Sequence, residues 1–415
     1  MRLSPDSPSI QTTFGRVSDS LQTGLLIGLG GTLPTSFRWI IWELPIAEPL
    51  VYAEFRAVVL FLPDAAAILL ALVTLVRLMR TGPTAVVRLF LLPTWVLLGL
   101  LWAVIPVLTA YHALHLTLCG LAAVAVTQIT DIRPLLVGLA IVAAVHGAIA
   151  TAQVINGGTL GLTMLGEIPW DPSDPVWLGE TTFRGYGLTI HPNNLAGYLI
   201  AGLAWCGVLI RTAQTRPWGL LCALPTALGL FATVSRAALA AAIVALFIYL
   251  IVQRKFSLQI AAASGVIVLL AAALLGPTLA ERLPMLTNPR FYEVRLFYEY
   301  ETTLAVLADR PLLGVGAGGL LPAAAEYQPA ADRILLPAHN TYLLIWAELG
   351  LPGLLLVLTG LALTLTQLRR DDAAAIAAAA LAAICLIMLV DFYFWGDLRS
   401  RYLPFLLIGM AWRTG

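Results

Sequence analysis

Apolar stretches repeated almost end to end are the feature that most constrains this chain. Of its 415 residues, 60% are hydrophobic and only 11% are charged, whereas soluble domains have about 25% charged residues. Because a membrane-spanning helix needs roughly 20 apolar residues, we predict an all-α integral membrane protein with about twelve transmembrane helices. The predicted spans are 22–43, 57–79, 86–108, 110–130, 133–155, 192–211, 217–234, 236–252, 257–276, 341–367, 373–392 and 401–413.

Net charge and side-chain spacing exclude several functional classes. The formal net charge is +1, which gives no bulk electrostatic attraction to nucleic acid. The four cysteines lie in apolar stretches without a CxxC pair, so neither a disulfide framework nor a zinc site is predicted. His112 and His115 share a helix face, but no carboxylate accompanies them at ligand spacing. We therefore expect no metal site. The polar N-terminus lacks the layout of a cleaved signal peptide.

The arginines predict an orientation. They concentrate in one set of short connections between the apolar stretches, and basic residues mark the cytoplasmic side. We therefore place both termini in the cytoplasm and the two long polar segments outside. Short inner connections leave little room for a nucleotide-binding domain. The resulting parts are helices 1–5 (1–155), an outer loop (156–191), helices 6–9 (192–276), a large outer segment (277–340) that is partly helical, and helices 10–12 (341–415).

His339 is the first candidate for chemistry. It lies with Asn340 where the large outer segment returns to an apolar helix. An unperturbed imidazole has a pKa of about 6.5, which suits a general base near neutral pH. The alternative is a histidine that caps the helix or sits at the membrane interface.

Arginines predicted to lie on the outer side are the candidate phosphate ligands. Arg184, Arg236 and Arg295 come first, and Arg290 is a weaker candidate. A guanidinium group binds phosphate through paired, charge-assisted hydrogen bonds. Three of them around one outer cavity would suit a diphosphate. The alternative is that each anchors the protein at the interface or pairs with a nearby acid.

The other candidate residues each have a structural alternative to a functional role. Glu348 could orient a substrate or pair with an arginine, and His191 could be a second acid or base or could cap a helix. Asp64 and Asp391 are acids in or beside apolar stretches, which indicate function or simple access to water. Gly314–Gly319 spells GxGxxG, but no strand or βαβ unit surrounds it. We predict a backbone bend there.

Four strings carry a family resemblance. They are Arg184-Gly-x-Gly followed by Pro192-Asn193-Asn194, Ser235-Arg236, Pro311-Leu-Leu-Gly-Val-Gly-Ala-Gly-Gly319, and His339-Asn340-x9-Gly350-x-x-Gly353. Their order and content resemble the O-antigen ligase and O-antigen polymerase superfamily of lipid-linked glycan transferases. That family has about twelve helices with a large periplasmic segment between the ninth and the tenth, which agrees with the hydropathy and the charges.

The resemblance implies a membrane-embedded glycosyltransferase of the GT-C type, with O-antigen ligase preferred. Such an enzyme takes a glycan from undecaprenyl diphosphate and transfers it to a sugar hydroxyl of lipid A-core, at the periplasmic face of the bacterial inner membrane. It needs no metal, nucleotide sugar or other cofactor. By position, His339 would deprotonate the acceptor, and Arg184, Arg236 and Arg295 would hold the diphosphate. Glu348, His191, Asn340 and Arg290 are secondary candidates for the same site.

Two alternatives remain at this stage. An O-antigen polymerase or an O-linked oligosaccharyltransferase would use the same donor with another acceptor. A secondary transporter belongs to a different class. No repeat of discontinuous helices, the usual sign of a transport site, is visible in the sequence. The concentration of Arg and His at one face favours chemistry there.

Overall fold

The computed structural model describes residues 10–45, 53–81, 85–171, 183–254, 299–324, 336–370 and 373–413, with isolated helical residues between 266 and 276. Two of the predicted site residues, Arg290 and Arg295, lie outside the described residues. So does most of the predicted ninth span, 257–276.

The described part of the chain is predominantly helical. In chain order the helices are α1 Ile10–Thr32, α2 Ala53–Arg56, α3 Leu62–Thr81, α4 Leu91–Leu98, α5 Pro106–Gln128, α6 Arg133–Asn156, α7 Pro192–Ile210, α8 Arg216–Ala232, α9 Arg236–Gln253, α10 Glu301–Asp309, α11 Leu320–Ala324, α12 Thr341–Leu365, α13 Ala373–Ile387, α14 Tyr393–Gly396 and α15 Leu398–Ala411. Two strands, β1 Arg38–Glu43 and β2 Ala57–Phe61, form an antiparallel pair.

Six described helices are long and apolar enough to cross a membrane: Leu62–Met79, Pro106–Gln128, Arg133–Asn156, Pro192–Ile210, Arg236–Gln253 and Thr341–Arg369. Each coincides with a predicted span to within a few residues. Shorter apolar helices occupy Arg88–Leu101 and Ala373–Ile387. The predicted third span, 86–108, ends early, because the chain leaves helical geometry after Leu101 and α5 begins at Pro106. A total of twelve spans stays a prediction.

The predicted first span, 22–43, is wrong over its second half. Helix α1 ends at Thr32, and Arg38–Glu43 forms strand β1 instead. This segment reads Arg-Trp-Ile-Ile-Trp-Glu, and aromatic and β-branched residues favour strands. Hydropathy alone does not separate a short apolar strand from the end of a membrane helix. The hairpin exposes Trp39, Ile40 and Ile41.

Glycines bring α6 and α8 into backbone contact. A Cβ atom added to Gly147 of α6 would lie 2.3 Å from the carbonyl oxygen of Pro225, and one added to Gly229 of α8 would lie 2.2 Å from Cα of Gly147. Small residues allow membrane helices to approach this closely. The pair supports the segment 183–191 that precedes α7, since the Gly185 amide donates to the carbonyl of Ala232 at the end of α8.

Helix α12 is interrupted at Gly350, which has φ 68° and ψ −178°. The segment after α10 runs alongside this break and forms backbone hydrogen bonds with it. Val315 N donates to Ala347 O (3.0 Å), Gly316 N to Glu348 O (2.9 Å), and Leu351 N to Pro311 O (3.2 Å). The carbonyls that a break leaves without helical partners are thereby satisfied.

The bend predicted for Gly314–Gly319 is confirmed. Gly314, Gly316 and Gly318 have φ between 69° and 88°, a region that favours glycine. A Cβ on Gly314 would lie 2.5 Å from Glu348 O, and one on Gly316 would lie 2.5 Å from Cβ of Ala103. The glycines therefore let the segment turn and lie directly against α12 and the start of α5.

Candidate active site

His339 lies immediately before α12, and Asn340 fixes the start of that helix. The Asn340 side-chain oxygen accepts hydrogen bonds from Tyr342 N and Leu343 N, both at 3.0 Å. This is N-cap geometry, so the role the structure shows for Asn340 is to hold the helix start. The His339 ring packs edge-on against Phe392, with ring centroids 4.9 Å apart.

The carboxylate of Glu299 contacts Nδ1 of His339. Glu299 is 7% exposed and precedes α10. An ionised carboxylate can accept hydrogen bonds but cannot donate them. The hydrogen in this contact is therefore on Nδ1, and a neutral His339 ring keeps its lone pair on Nε2. Within the described part of the chain, no hydrogen bond to His339 Nε2 is found. The contact with Glu299 therefore fixes the orientation of the His339 ring.

Arg184 is held in a buried loop between α6 and α7. Its Nε donates to the carbonyl of Thr233 (2.7 Å) and its Nη2 donates to Oδ1 of Asn193 (2.7 Å). The next residue must be glycine, because a Cβ on Gly185 would lie 2.4 Å from the carbonyl oxygen of Ala150. The loop therefore presses Arg184 onto the turn that joins α8 to α9.

Arg236 is the first residue of α9, just past that turn, and it is exposed. The turn contains Val234 with φ 49°, an uncommon conformation for a β-branched residue. Burial lowers the pKa of Arg184, the Asp391 carboxylate raises it, and the positive charge of Arg236 lowers it. The positive charges of Arg184 and Arg236 together favour an anion at this position.

Asp391 links the arginines to the histidine segment. Its Oδ2 accepts from the Asn193 side-chain amide at 2.7 Å. Its backbone carbonyl accepts from Thr341, at 3.1 Å from the amide and 2.7 Å from the hydroxyl. A chain of contacts thus runs from Arg184 through Asn193 and Asp391 to Thr341, two residues after His339. The structure brings Arg184, Arg236 and His339 to the same end of the helix bundle.

The other candidates take roles within the fold. His191 caps α7, because its Nδ1 accepts from Asn193 N at 3.2 Å. Glu348 lies deeper along α12 and accepts from the Trp395 indole at 2.7 Å. Asp64 accepts from the Tyr402 hydroxyl (2.9 Å) and from Phe61 N (2.9 Å). Among the described residues, no cluster of His, Cys, Asp and Glu side chains could hold a metal ion.

Sequence reasoning missed Glu299 and Asn193 as parts of this site. Glu299 is 40 residues from His339, so no spacing rule connects them. One signal was present, since Glu299 lies in the segment 277–340 that the sequence predicts to be partly helical. Asn193 was noted only as part of a string.

Comparison with known families gives one match. A family model described as O-Antigen ligase matches residues 220–358. The match covers about a third of the chain, so it shows what this region is similar to. The matched region begins in α8, ends in α12, and contains Arg236, Glu299 and His339, whereas Arg184 precedes it. A search among curated proteins found no match to the chain.

This match confirms the predicted resemblance to the O-antigen ligase and polymerase superfamily. Together with the six apolar helices, the match supports a multi-pass bacterial membrane protein with a function in glycan transfer. Donor, acceptor and residue roles belong to the proposal that follows.

Proposed function

We propose that this protein is an O-antigen ligase-type glycosyltransferase. It transfers a glycan from undecaprenyl diphosphate to a sugar hydroxyl of lipid A-core at the periplasmic face of the inner membrane. The observation that carries the proposal is the Glu299–His339 contact at the end of the bundle where Arg184 and Arg236 lie. A base and an anion site are the two parts that this reaction needs.

His339 acts as the general base. The acceptor hydroxyl gives its proton to Nε2 while its oxygen forms a bond to the anomeric carbon of the donor sugar. Glu299 keeps the hydrogen on Nδ1 and stabilises the imidazolium that forms. A single displacement of this kind inverts the anomeric centre.

Arg184 and Arg236 act on the leaving group. As the bond between the anomeric carbon and the phosphate oxygen breaks, its electron pair leaves with the lipid diphosphate. Fixed positive charges stabilise that anion without having to reorganise during the reaction. Arg295 remains a proposed third ligand of the diphosphate. No step requires a metal ion or a cofactor.

The acceptor separates the ligase from its relatives. A polymerase or an O-linked oligosaccharyltransferase would keep the same base and anion site and accept a growing glycan or a protein hydroxyl. A transporter would not need an oriented base at the same end of the bundle as two arginines. We place the ligase first because the histidine string resembles that of ligases.

The experiment is a reconstituted transfer reaction. Purified protein in liposomes receives a glycan on undecaprenyl diphosphate and lipid A-core, with His339→Ala as the test variant. Gly360→Ala controls for the effects of substitution and purification, because a Cβ at this position meets nothing within 4 Å. We expect glycosylated lipid A-core from the wild type and the control and none from His339→Ala. Lengthened donor chains would instead identify a polymerase, and an unconsumed donor would refute glycan transfer.

A further inference from the structure

A second polar cluster lies beneath the site, between α12, α5 and α15. Its side chains are Glu348 of α12, His112 of α5, Arg401 of α15 and Trp395 of α14. They line a narrow cavity whose wall also includes Pro337, two residues before His339. Glu348 is seven residues after Thr341 on the same helix face, so the cavity is about 10 Å deeper along the helix axis.

Arg401 is a buried cation whose guanidinium group needs several hydrogen-bond acceptors. Its side chain is 1% exposed. Nε donates to the Trp395 carbonyl (2.6 Å), Nη2 donates to His112 Nδ1 (3.2 Å), and the guanidinium carbon lies 4.3 Å from the centre of the Trp395 ring. Nη1 is buried and has no hydrogen-bond partner among the described residues. Buried charged side chains within membrane helices mark functional sites by default.

Glu348 faces the same cavity. Its Oε2 accepts from the Trp395 indole at 2.7 Å. A carboxylate offers about four acceptor positions, so it can accept a further hydrogen bond. His112 accepts a hydrogen bond at Nδ1 because a guanidinium group only donates. The neutral ring therefore carries its hydrogen on Nε2.

The chemistry of a ligand group that would fill the cavity follows from Arg401 and Glu348. It must accept from Arg401 Nη1 and be tolerated by the negative charge of Glu348. A phosphate would be repelled by Glu348, and an ammonium group would be repelled by Arg401. A hydroxyl both accepts and donates a hydrogen bond, so it suits both groups at once. The cavity is narrow, which fits one hydroxyl better than a whole sugar ring.

We propose that the cavity lined by Arg401 and Glu348 is a subsite that recognises one hydroxyl group of a neutral substrate sugar. The inference deepens the proposed function and rests on it, because the sugar is that of the glycan donor or of the acceptor. The sugar ring lies above the cavity toward His339, and one of its hydroxyls enters. The subsite selects sugars that carry that hydroxyl.

The first test uses the wild-type protein and varies the ligand. Methyl glycosides of neutral hexoses and heptoses are titrated into detergent-purified protein, with binding measured by saturation-transfer NMR. For the sugar that binds, each monodeoxy derivative is then compared. We expect removal of one particular hydroxyl to weaken binding about tenfold or more, since a buried charged partner is left unpaired. Equal affinity for every deoxy derivative, or no saturable binding, would overturn the proposal.

The second test uses charge-matched double variants. Arg401→Gln with Glu348→Gln removes both recognition groups and leaves no uncompensated charge, which favours folding. The control is Arg399→Gln with Asp397→Asn, an ion pair at the start of the same helix that lines another cavity. Arg399 is 2% exposed, and its Nη2 also lacks a partner among the described residues. We expect binding to be lost in the first variant only. Equal loss in both would overturn the proposal, as would displacement of the sugar by inorganic pyrophosphate.

Competition identifies the source of the sugar and separates this inference from the function. Delipidated core oligosaccharide and free repeat-unit glycan are each tested for displacement of the methyl glycoside. Displacement by either supports the subsite and names the substrate concerned, and displacement by neither contradicts it. His339→Ala must retain sugar binding. Sugar binding without any transfer by the wild type would refute the proposed function and leave the subsite standing.

Discussion

Replacing Gly350 with alanine tests whether the break in α12 is built into the fold. At φ 68° and ψ −178°, a residue with a side chain is strained by about 1–3 kcal/mol. Its Cβ would also lie 2.0 Å from the carbonyl oxygen of Leu312 and 2.5 Å from the carbonyl carbon. Both contacts are to backbone, so no side chain can rotate away. We expect Gly350→Ala to lower the free energy of unfolding by about 3 kcal/mol or more.

The assay compares thermal unfolding of two alanine variants of one helix in detergent. Gly360 lies further along α12 in open space, where alanine stabilises a helix by about 0.5–1 kcal/mol. For a chain of this size, 3 kcal/mol corresponds to a midpoint lower by roughly 3–6 °C. We therefore expect a clear decrease for Gly350→Ala and none for Gly360→Ala.

Hydrogen exchange shows where the damage lies. The amides of Val315 and Gly316 donate to carbonyls of α12 just before the break. They should lose protection in Gly350→Ala, while amides in α6 keep theirs. Equal midpoints for the two alanine variants, with unchanged protection at Val315 and Gly316, would refute the reasoning about the break.

Four further outcomes are expected. Glu299→Gln should lower kcat about 10–100-fold with little change in KM, as for other partners that orient a histidine; its exposed neighbour Glu301, changed to Gln, should have no effect, and equal losses would contradict the assignment. Arg236→Lys keeps the charge but loses the paired N–H donors of the guanidinium group, so a large loss of transfer is expected. Wild-type rates would mean that Arg236 is only an anchor at the membrane interface. A metal chelator should leave the transfer rate unchanged, and inhibition reversed by added metal would disprove the metal-independent mechanism. In proteoliposomes, bromine atoms near the lipid headgroups should quench Trp39 and Trp42 more than bromine atoms near the chain ends, because an open sheet edge cannot lie in hydrocarbon; the reverse order would contradict it.

Local patterns predicted the parts of the site that are continuous in sequence. His339-Asn340 precedes a helix as the hydropathy indicated, and the Gly314–Gly319 bend follows from glycines without a surrounding βαβ unit. The role of Gly350 was not predicted. Its string was noted only as a resemblance, whereas the reason for the glycine is a backbone segment that packs against α12 from about 35 residues earlier.

Tertiary contacts explain what the sequence could not predict. Glu299 meets His339 only because α10 packs beside the start of α12, and no periodicity records that. Arg184 meets the α8–α9 turn through the carbonyl of Thr233, a backbone group that every residue type offers. Strand β1 was assigned to a membrane span because Trp and Ile raise hydropathy in strands and helices alike.

The backbone contact between Gly147 and Gly229 has a consequence for genetics. The loop that carries Arg184 is seated on the ends of α6 and α8, and the separation of those helices is set where the two glycines touch. A methyl group added at either glycine would spread the pair and displace the arginine with it. Random mutagenesis for strains that lose surface glycan should therefore recover alleles at Gly147 and Gly229 alongside those at charged residues. Such alleles would look like active-site lesions, although they add only a carbon atom in the interior of the bundle.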